Sequence, residues 1–499
     1  VSKNVQERMA FMSLSNFSVN SILQDKTIFV VGGSGFISKV WLSMILQFVP
    51  SVKKIFVLVR PNKQIDGVAR FEKIYLTSPV FDNIRNIYGS NLFNLNKLEV
   101  ISGDACHNQF CMDNKKYTAL LNEVDIVLNF AADLRFVAPL DQMLKSNVLS
   151  VKNICNFILK SASAKLLHIS TCYVAGVADG IVSEKPLSQK SPNGTLFSAE
   201  EEFNFGMQEC LGARNRNATN QEMTSLGTLR AERLGWPNTY TYTKALGEII
   251  LSEKLNDSRF CIFRPSIVES AEKYPFPGWN EDFNGTAPFI QMLSSPYRLL
   301  VAKPNHNLDI IPVDYVAKGL TIAASALLTE NHCKIYQCST SSINPLSVKH
   351  ATDFIFNYFK NQNSNRLVHY ILPNPKPMFI TPKHFLSSSN IKNFEKRVSL
   401  IYNKIKIEKK STKFFAQTGI DGLLDSFRRK AKKIDLIMNA YKPFIYDYNY
   451  TFTSENLLKH RITEEEFFYS PKNIKWDHYW KIVHIPGLKQ WCLPKLNTL

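Results

Sequence analysis

The segment Trp236-Pro237-Asn238-Thr239-Tyr240-Thr241-Tyr242-Thr243-Lys244-Ala245-Leu246-Gly247-Glu248 holds a tyrosine and a lysine four residues apart. On a helix, positions i and i+4 share a face. An ammonium beside a phenol stabilises the phenolate and lowers the tyrosine pKa. Tyr240 is thereby expected to give a proton to a carbonyl near neutral pH, while Lys244 could also reach a ribose hydroxyl. A second hydroxyl must hold the carbonyl oxygen beside that phenol. Ser170-Thr171-Cys172-Tyr173-Val174-Ala175-Gly176 supplies it at the end of a predicted strand, with Thr171 the choice and Ser170 the alternative. Cys172 raises the weaker idea of a covalent thioester, but the sequence places no base beside it, and small cysteines usually pack. His168 reads as a core strand histidine rather than a ligand.

Upstream, Val31-Gly32-Gly33-Ser34-Gly35-Phe36-Ile37-Ser38 follows a strand and opens a helix. Gly32 permits a tight turn, Gly35 lets backbone approach a pyrophosphate, and the helix N-terminus offers unpaired N–H groups. Ser38 stands where a third small residue belongs, so the turn reads as a dinucleotide site. The second strand ends at Val59-Arg60-Pro61. An acid there would hold the ribose hydroxyls of NAD; Arg60, with Lys63 nearby, instead favours the 2′-phosphate of NADPH, the bland reading being a solvated arginine. Asp104 could accept a hydrogen bond from adenine or cap a turn.

The elements that must position these groups follow from hydropathy. Thr27–Val31, Ile55–Val59, Leu98–Ile101, Val124–Asn129, Leu166–Ile169 and Cys261–Phe263 read as short buried strands. Phe36, Ile37, Val40, Trp41, Met44, Ile45 and Phe48 mark one apolar helix face. Alternating strand and helix predicts an α/β fold, a Rossmann-type doubly wound parallel sheet with helices on both faces. Residues 198–235 read as a helical insertion. A domain boundary is expected near Asn390, giving a dinucleotide-binding domain over 20–390 and a smaller, mainly helical C-terminal domain over 391–499.

The 499 residues, 45% of them hydrophobic and 20% charged, exclude a disordered or fibrous chain. No apolar run approaches the roughly 18 residues of a membrane span. The net charge of +18 favours anionic partners. Residues 391–499 hold 21 Lys and Arg against 11 Asp and Glu, so a fifth of the chain carries over half of the excess. The stretch from Lys404 to Lys433 is either a surface for phosphorylated ligands or anionic lipid, or a solvated face. No nucleic-acid module matches, so no nucleic-acid partner is expected. Nine cysteines without a C-x-x-C predict reduced, mostly buried thiols and no metal site. The first 25 residues show no clear apolar signal core and are somewhat Ser-rich.

The glycine turn, Ser170–Gly176, Tyr240–Lys244 and Arg264-Pro265-Ser266-Ile267-Val268 together resemble an extended short-chain dehydrogenase/reductase. More narrowly, Trp236–Tyr240, Thr243–Glu248, Pro275-Phe276-Pro277-Gly278-Trp279, Tyr441-Lys442-Pro443-Phe444, Phe467-Phe468-Tyr469 and His484-Ile485-Pro486-Gly487 resemble plant-type, alcohol-forming fatty acyl-CoA reductases, the male-sterility-type proteins. The resemblance runs from about Lys26 to the end of the chain. It implies NADPH-dependent reduction of a long-chain acyl-CoA to a primary alcohol, through an aldehyde, with CoA release. It implies Thr171, Tyr240 and Lys244 as catalytic. It implies a cofactor site of Gly32, Gly33, Ser34, Gly35, Phe36, Ile37, Arg60, Asp104, Ala131, Tyr240, Lys244, Pro265 and Ile267. The C-terminal region is the candidate lid and acyl-chain guide. Peripheral membrane association at the cytosolic face of the endoplasmic reticulum or in the cytoplasm is implied, with a plastid as the minor alternative. Three positions depart from the family pattern: Val31 replaces Thr, Asp133 a small residue or Thr, and Ser150 a Gly. Asp133 would disturb the cofactor's surroundings unless it pairs with Arg135. Rival readings are another carbonyl reductase or epimerase of this fold, and a cofactor-binding homologue without turnover.

Overall fold

The computed structural model describes residues 17–91, 96–281, 283, 285–294, 299–362, 376–384 and 434–492. Strands β1 (Thr27–Val31), β2 (Lys54–Val59), β3 (Leu98–Ser102), β4 (Ile126–Asn129) and β5 (Lys165–Ile169) fall on the apolar runs of the sequence, as does β7 (Phe260–Pro265). With β11 (Ile335–Cys338) they form a parallel seven-stranded sheet of order β11-β7-β5-β4-β1-β2-β3. The order reverses at β1, whose neighbours are β2 and β4, so a crevice opens at the carboxyl ends of those strands. Both faces of the sheet are covered, which is why most strand residues are apolar and buried rather than alternating. β11 escaped the sequence reading because Ile-Tyr-Gln-Cys is short and includes a polar residue.

Helix α1 (Phe36–Phe48) begins directly after the glycine turn and buries Val40, Trp41, Met44 and Ile45. It packs against the apolar helix Val313–Leu328, where Trp41 Nε1 donates to Thr321 Oγ1 at 3.1 Å. The insertion folds as α2 (Ala199–Asn215) and α3 (Asn220–Arg233), the latter started by a Thr219–Glu222 capping box. Helix α4 (Thr239–Lys254) carries the Tyr240 segment. Asn238 Oδ1 accepts the Thr241 N–H and so sets its first turn.

Residues 434–492 do not stand apart. Phe444, Ile445, Tyr450, Phe452, Tyr479 and Trp480 belong to the same apolar cluster as the β1 and β7 side chains Ile28, Val30 and Phe263. Strand β13 (Tyr450–Phe452) pairs in parallel with β6 (Gly180–Val182), just beyond the Thr171 segment. His484 reaches the strand β8 (Ile267–Glu269) region through a buried polar network. Its Nδ1 lies 2.9 Å from Ser270 Oγ and its Nε2 2.8 Å from Thr286 Oγ1 and 3.6 Å from Glu269 Oε2. The Asn390 boundary and the basic stretch Lys404–Lys433 lie outside the described residues. All nine cysteines are free. Among the described residues no helix is long and apolar enough to cross a membrane, and no cluster of His, Cys, Asp or Glu could hold a metal.

Candidate active site

The glycine turn is tight for a steric reason. Gly32 has φ +86°, and a Cβ there would lie 2.7 Å from the Ala131 backbone nitrogen. Only glycine tolerates both. Gly33 is seated against the Val57 side chain, Ser34, Phe36 and Ile37 are half-buried, and Gly35, the N-cap of α1, is exposed. Ser38 does the work of a small third residue by bonding back. Its hydroxyl donates towards the Gly32 and Gly35 carbonyls, at 3.0 and 2.9 Å. The first-turn N–H groups of α1 follow directly on this turn and are the donors it offers to a pyrophosphate.

Arg60 is exposed at the end of β2, and Arg70 donates to its carbonyl oxygen at 2.8 Å. Partial burial and the neighbouring Arg60 charge together lower the Arg70 pKa. The Arg60 charge is thus felt by Arg70, and an anion bound near the end of β2 would relieve that repulsion. Arg70 was missed in the sequence because a lone arginine in the first helix after β2 carries no pattern. Asp104 Oδ1 accepts the Cys106 N–H at 2.9 Å, so the turn-capping reading is the one realised in the chain itself.

Thr171, Tyr240 and Lys244 come together. The Thr171 side chain is near enough to the Tyr240 hydroxyl to lower its pKa, while Thr171 Oγ1 accepts the Tyr173 N–H at 3.3 Å. Lys244 Nζ, fully buried, donates to the Ile169 carbonyl at 2.7 Å and lies 3.4 Å from His168 Nε2. Burial lowers the Lys244 pKa to about 8, partly opposed by Glu248. Burial raises the Tyr240 pKa above its ordinary value, and the nearby Thr171 hydroxyl pulls it partly back. This corrects the expectation of a phenol acidified by its lysine: the ammonium is held down against β5, and desolvation of the phenol dominates. Ser170 Oγ is buried without a partner, so Thr171 is the hydroxyl that meets Tyr240. Cys172 is buried, donates to the Arg264 carbonyl at 3.0 Å and has its pKa pushed well up by burial, which disposes of the thioester idea.

Ala131 follows the end of β4, Pro265 closes β7 and Ile267 opens β8. Ala131 N donates to Asn129 Oδ1 at 3.0 Å, Pro265 is buried, and Ile267 is half-buried in β8. The departures from the family pattern are accommodated. Val31 is a buried sheet residue, and Ser150 Oγ donates to the Ser146 carbonyl at 2.6 Å. Asp133 forms a forked pair with Arg135, with its Oδ2 2.5 Å from Nη2. Burial opposes its ionisation, but the Arg135 hydrogen bonds outweigh that and hold its carboxyl below the usual range. The Asp133 backbone is clamped by Asn147, whose Oδ1 accepts the Asp133 N–H at 2.8 Å and whose Nδ2 reaches Thr243 Oγ1 at 3.0 Å. Asn147 sits in a single π-helical turn, Lys145–Leu149, a local irregularity frequent at functional sites. Gly247 allows the two segments to meet, since a Cβ there would lie 2.6 Å from the Asn147 carbonyl oxygen.

An aromatic roof closes over the phenol. Phe136 lies 5.9 Å from the Tyr240 ring and 5.6 Å from Phe444, which is 4.8 Å from Tyr173. Tyr450 OH donates to the Gly176 carbonyl at 2.8 Å, fixing β13 over the Thr171 segment.

A family model described as male sterility protein, an NAD-binding model, matches residues 30–320. The chain belongs to the male sterility family, the fatty acyl-CoA reductases. It is 27% identical to the alcohol-forming fatty acyl-CoA reductase of Simmondsia chinensis over 94% of this chain and 98% of that one. It is 30% identical to the probable fatty acyl-CoA reductase 4 of Arabidopsis thaliana over 95% of this chain and 98% of that protein. Among solved structures, the reductase domain of a non-ribosomal peptide synthetase from Mycobacterium tuberculosis superposes with a TM-score of 0.52 at 14% identity, covering 97% and 95% of the two chains. A thiolation-reductase di-domain from an archaeal non-ribosomal peptide synthetase gives 0.53 at 15% identity, over 98% and 83%. These structures share the fold. This member of the fatty acyl-CoA reductase family is an oxidoreductase with a nicotinamide dinucleotide site.

Proposed function

We propose that this reductase converts a long-chain acyl-CoA, two NADPH and two protons into a primary alcohol, CoA thiol and two NADP+. The observation that carries the reading is the meeting of Thr171, Tyr240 and Lys244 under an aromatic roof contributed partly by residues 434–492. The residues fit the dinucleotide: the Gly32–Gly35 turn suits a pyrophosphate, and the Arg60–Arg70 pair suits a 2′-phosphate. When bound, the nicotinamide supplies hydride to the carbonyl carbon, first of the thioester and then of the aldehyde.

Thr171 and Tyr240 hold the carbonyl oxygen and stabilise its developing charge. A phenol whose pKa is raised by burial stays protonated in the resting site, so it is loaded to give its proton to the alkoxide. Lys244 orients the ribose and neighbours the phenol as a proton source. Phe136 and Phe444 exclude water and keep the aldehyde in place between the two reductions. Peripheral association with an anionic membrane at the endoplasmic reticulum belongs to the same proposal, and its support is the basic composition of 391–499.

The test is to incubate the protein with NADPH and palmitoyl- or stearoyl-CoA and to measure free thiol and fatty alcohol. Two NADPH per alcohol are expected. Tyr240→Phe should lower turnover by about 10²- to 10⁴-fold while sparing NADPH binding. An unchanged rate in that variant refutes the proton-donor role.

A further inference from the structure

The sheet register places Asn129 of β4 directly beside His168 of β5, and His168 is one residue before the Ile169 carbonyl that holds Lys244. All three polar side chains are buried, with His168 fully so. Their hydrogen bonds fix which atom carries which proton. The Ala131 backbone N–H can only donate, so the Asn129 atom it meets at 3.0 Å is Oδ1. The Asn129 NH₂ must then face His168 Nδ1, at 3.0 Å, and that nitrogen must accept. A neutral imidazole that accepts at Nδ1 carries its proton on Nε2. That N–H faces Lys244 Nζ across 3.4 Å.

Resting on the reductase reading above, we propose that Asn129 and His168 are positioning residues that lock the imidazole as the Nε2–H tautomer, so that its N–H supports the amine form of Lys244. An N–H aimed at a nitrogen is satisfied only by a lone pair, so it favours the amine over the ammonium. After the Tyr240 proton goes to the alkoxide, the Lys244 ammonium returns one to the phenolate. The resulting amine accepts the His168 N–H, and a proton from solvent restores the ammonium. Among the described residues, the charged or titratable groups facing Lys244 are His168 from β5, and Tyr240 and Glu248 from its own helix. Glu248 is itself paired with Arg264 of β7 at 2.6 Å, which blunts its pull on Lys244. The surroundings agree: burial and then Lys244 hold His168 well below its ordinary pKa, so the ring is neutral.

Two measurements test this. The first is the imidazole nitrogen NMR of the full chain labelled in histidine, with the His168 signals identified by their loss in His168→Gln. The expected result, with or without turnover, is an unprotonated Nδ1 and a protonated Nε2 from about pH 6 to 9. A proton on Nδ1, or a doubly protonated ring, overturns the proposal. The second is the pH profile of kcat. The alkaline limb reports loss of the ammonium, so removing the N–H that supports the amine moves it up. His168→Phe keeps the ring volume and should shift the limb upward by about one pH unit. His168→Gln keeps an N–H near the position of Nε2 and should leave the limb within a few tenths of wild type. A lower kcat in His168→Phe with the limb unmoved means a packing role only, and also overturns the proposal. If the wild type makes no alcohol from acyl-CoA, the reductase reading fails by itself, and the nitrogen spectrum still decides the tautomer.

Discussion

Glu269 sits at the end of β8 with its side chain 1% exposed. Its Oε1 accepts the Thr286 N–H at 2.5 Å, and its Oε2 has no hydrogen-bond partner. Burial pushes its pKa up to about 8 from an ordinary 4.5. His484, stacked on Tyr479 in the same network, is pushed down to about 3 by burial, so both groups are neutral at pH 7. The folded state therefore binds the Glu269 proton more tightly than the unfolded chain does. The stability this confers is complete below the unfolded pKa and is lost as pH rises towards the folded one. Each pH unit in that window corresponds to about 1.4 kcal/mol. From about pH 4.5 to about 8 the integrated loss approaches 5 kcal/mol as an upper bound. Glu269→Gln imitates the neutral carboxyl and removes this dependence. The variant minus wild-type difference in unfolding free energy should grow by up to about 1.4 kcal/mol per pH unit from pH 5 to 8 and then level off. His484 titrates in both proteins and drops out of the difference. The assay is urea unfolding followed by tryptophan fluorescence at four pH values across that range. A difference independent of pH would show that Glu269 is ionised in the folded chain, and would refute the argument.

Other outcomes follow from the site. Gly32→Ala forces a Cβ to within 2.7 Å of Ala131 N at a positive φ, so NADPH affinity measured by fluorescence titration should fall at least about tenfold. Arg60→Ala should weaken NADPH by roughly 10- to 100-fold and leave NADH binding nearly unchanged, because one charge-assisted bond to the 2′-phosphate is lost. Phe444→Ala removes a nearly buried ring from the roof. It should cost about 3 kcal/mol or more in urea unfolding and raise the fraction of aldehyde trapped by a hydrazine in the reaction mixture.

Much of the framework was readable from local pattern. Six of the seven strands of the main sheet and helix α1 are where hydropathy put them, because buried parallel strands and an apolar helix face leave a signal in a few consecutive residues. The glycine turn and the i, i+4 pair were equally legible, since both are short and each needs particular residue types. β11, Arg70 and Asn147 were not, as each acts through a neighbour distant in sequence.

His168 shows the division most clearly. Its residue type and its place in an apolar run made it a core histidine, which it is. Only the alignment of β4 with β5 sets Asn129 against one ring nitrogen and Lys244 against the other. The acidity of Tyr240 is a similar case. Spacing puts a lysine one turn away, but the balance between burial and charge depends on how much protein surrounds the phenol and where the ammonium is held. The docking of 434–492 onto the Thr171 segment likewise pairs strands some 270 residues apart. Residue type and local spacing name the groups available and the short elements that carry them. The tertiary structure alone decided their protonation and their partners, because desolvation and hydrogen bonding are properties of a packed neighbourhood rather than of a stretch of chain.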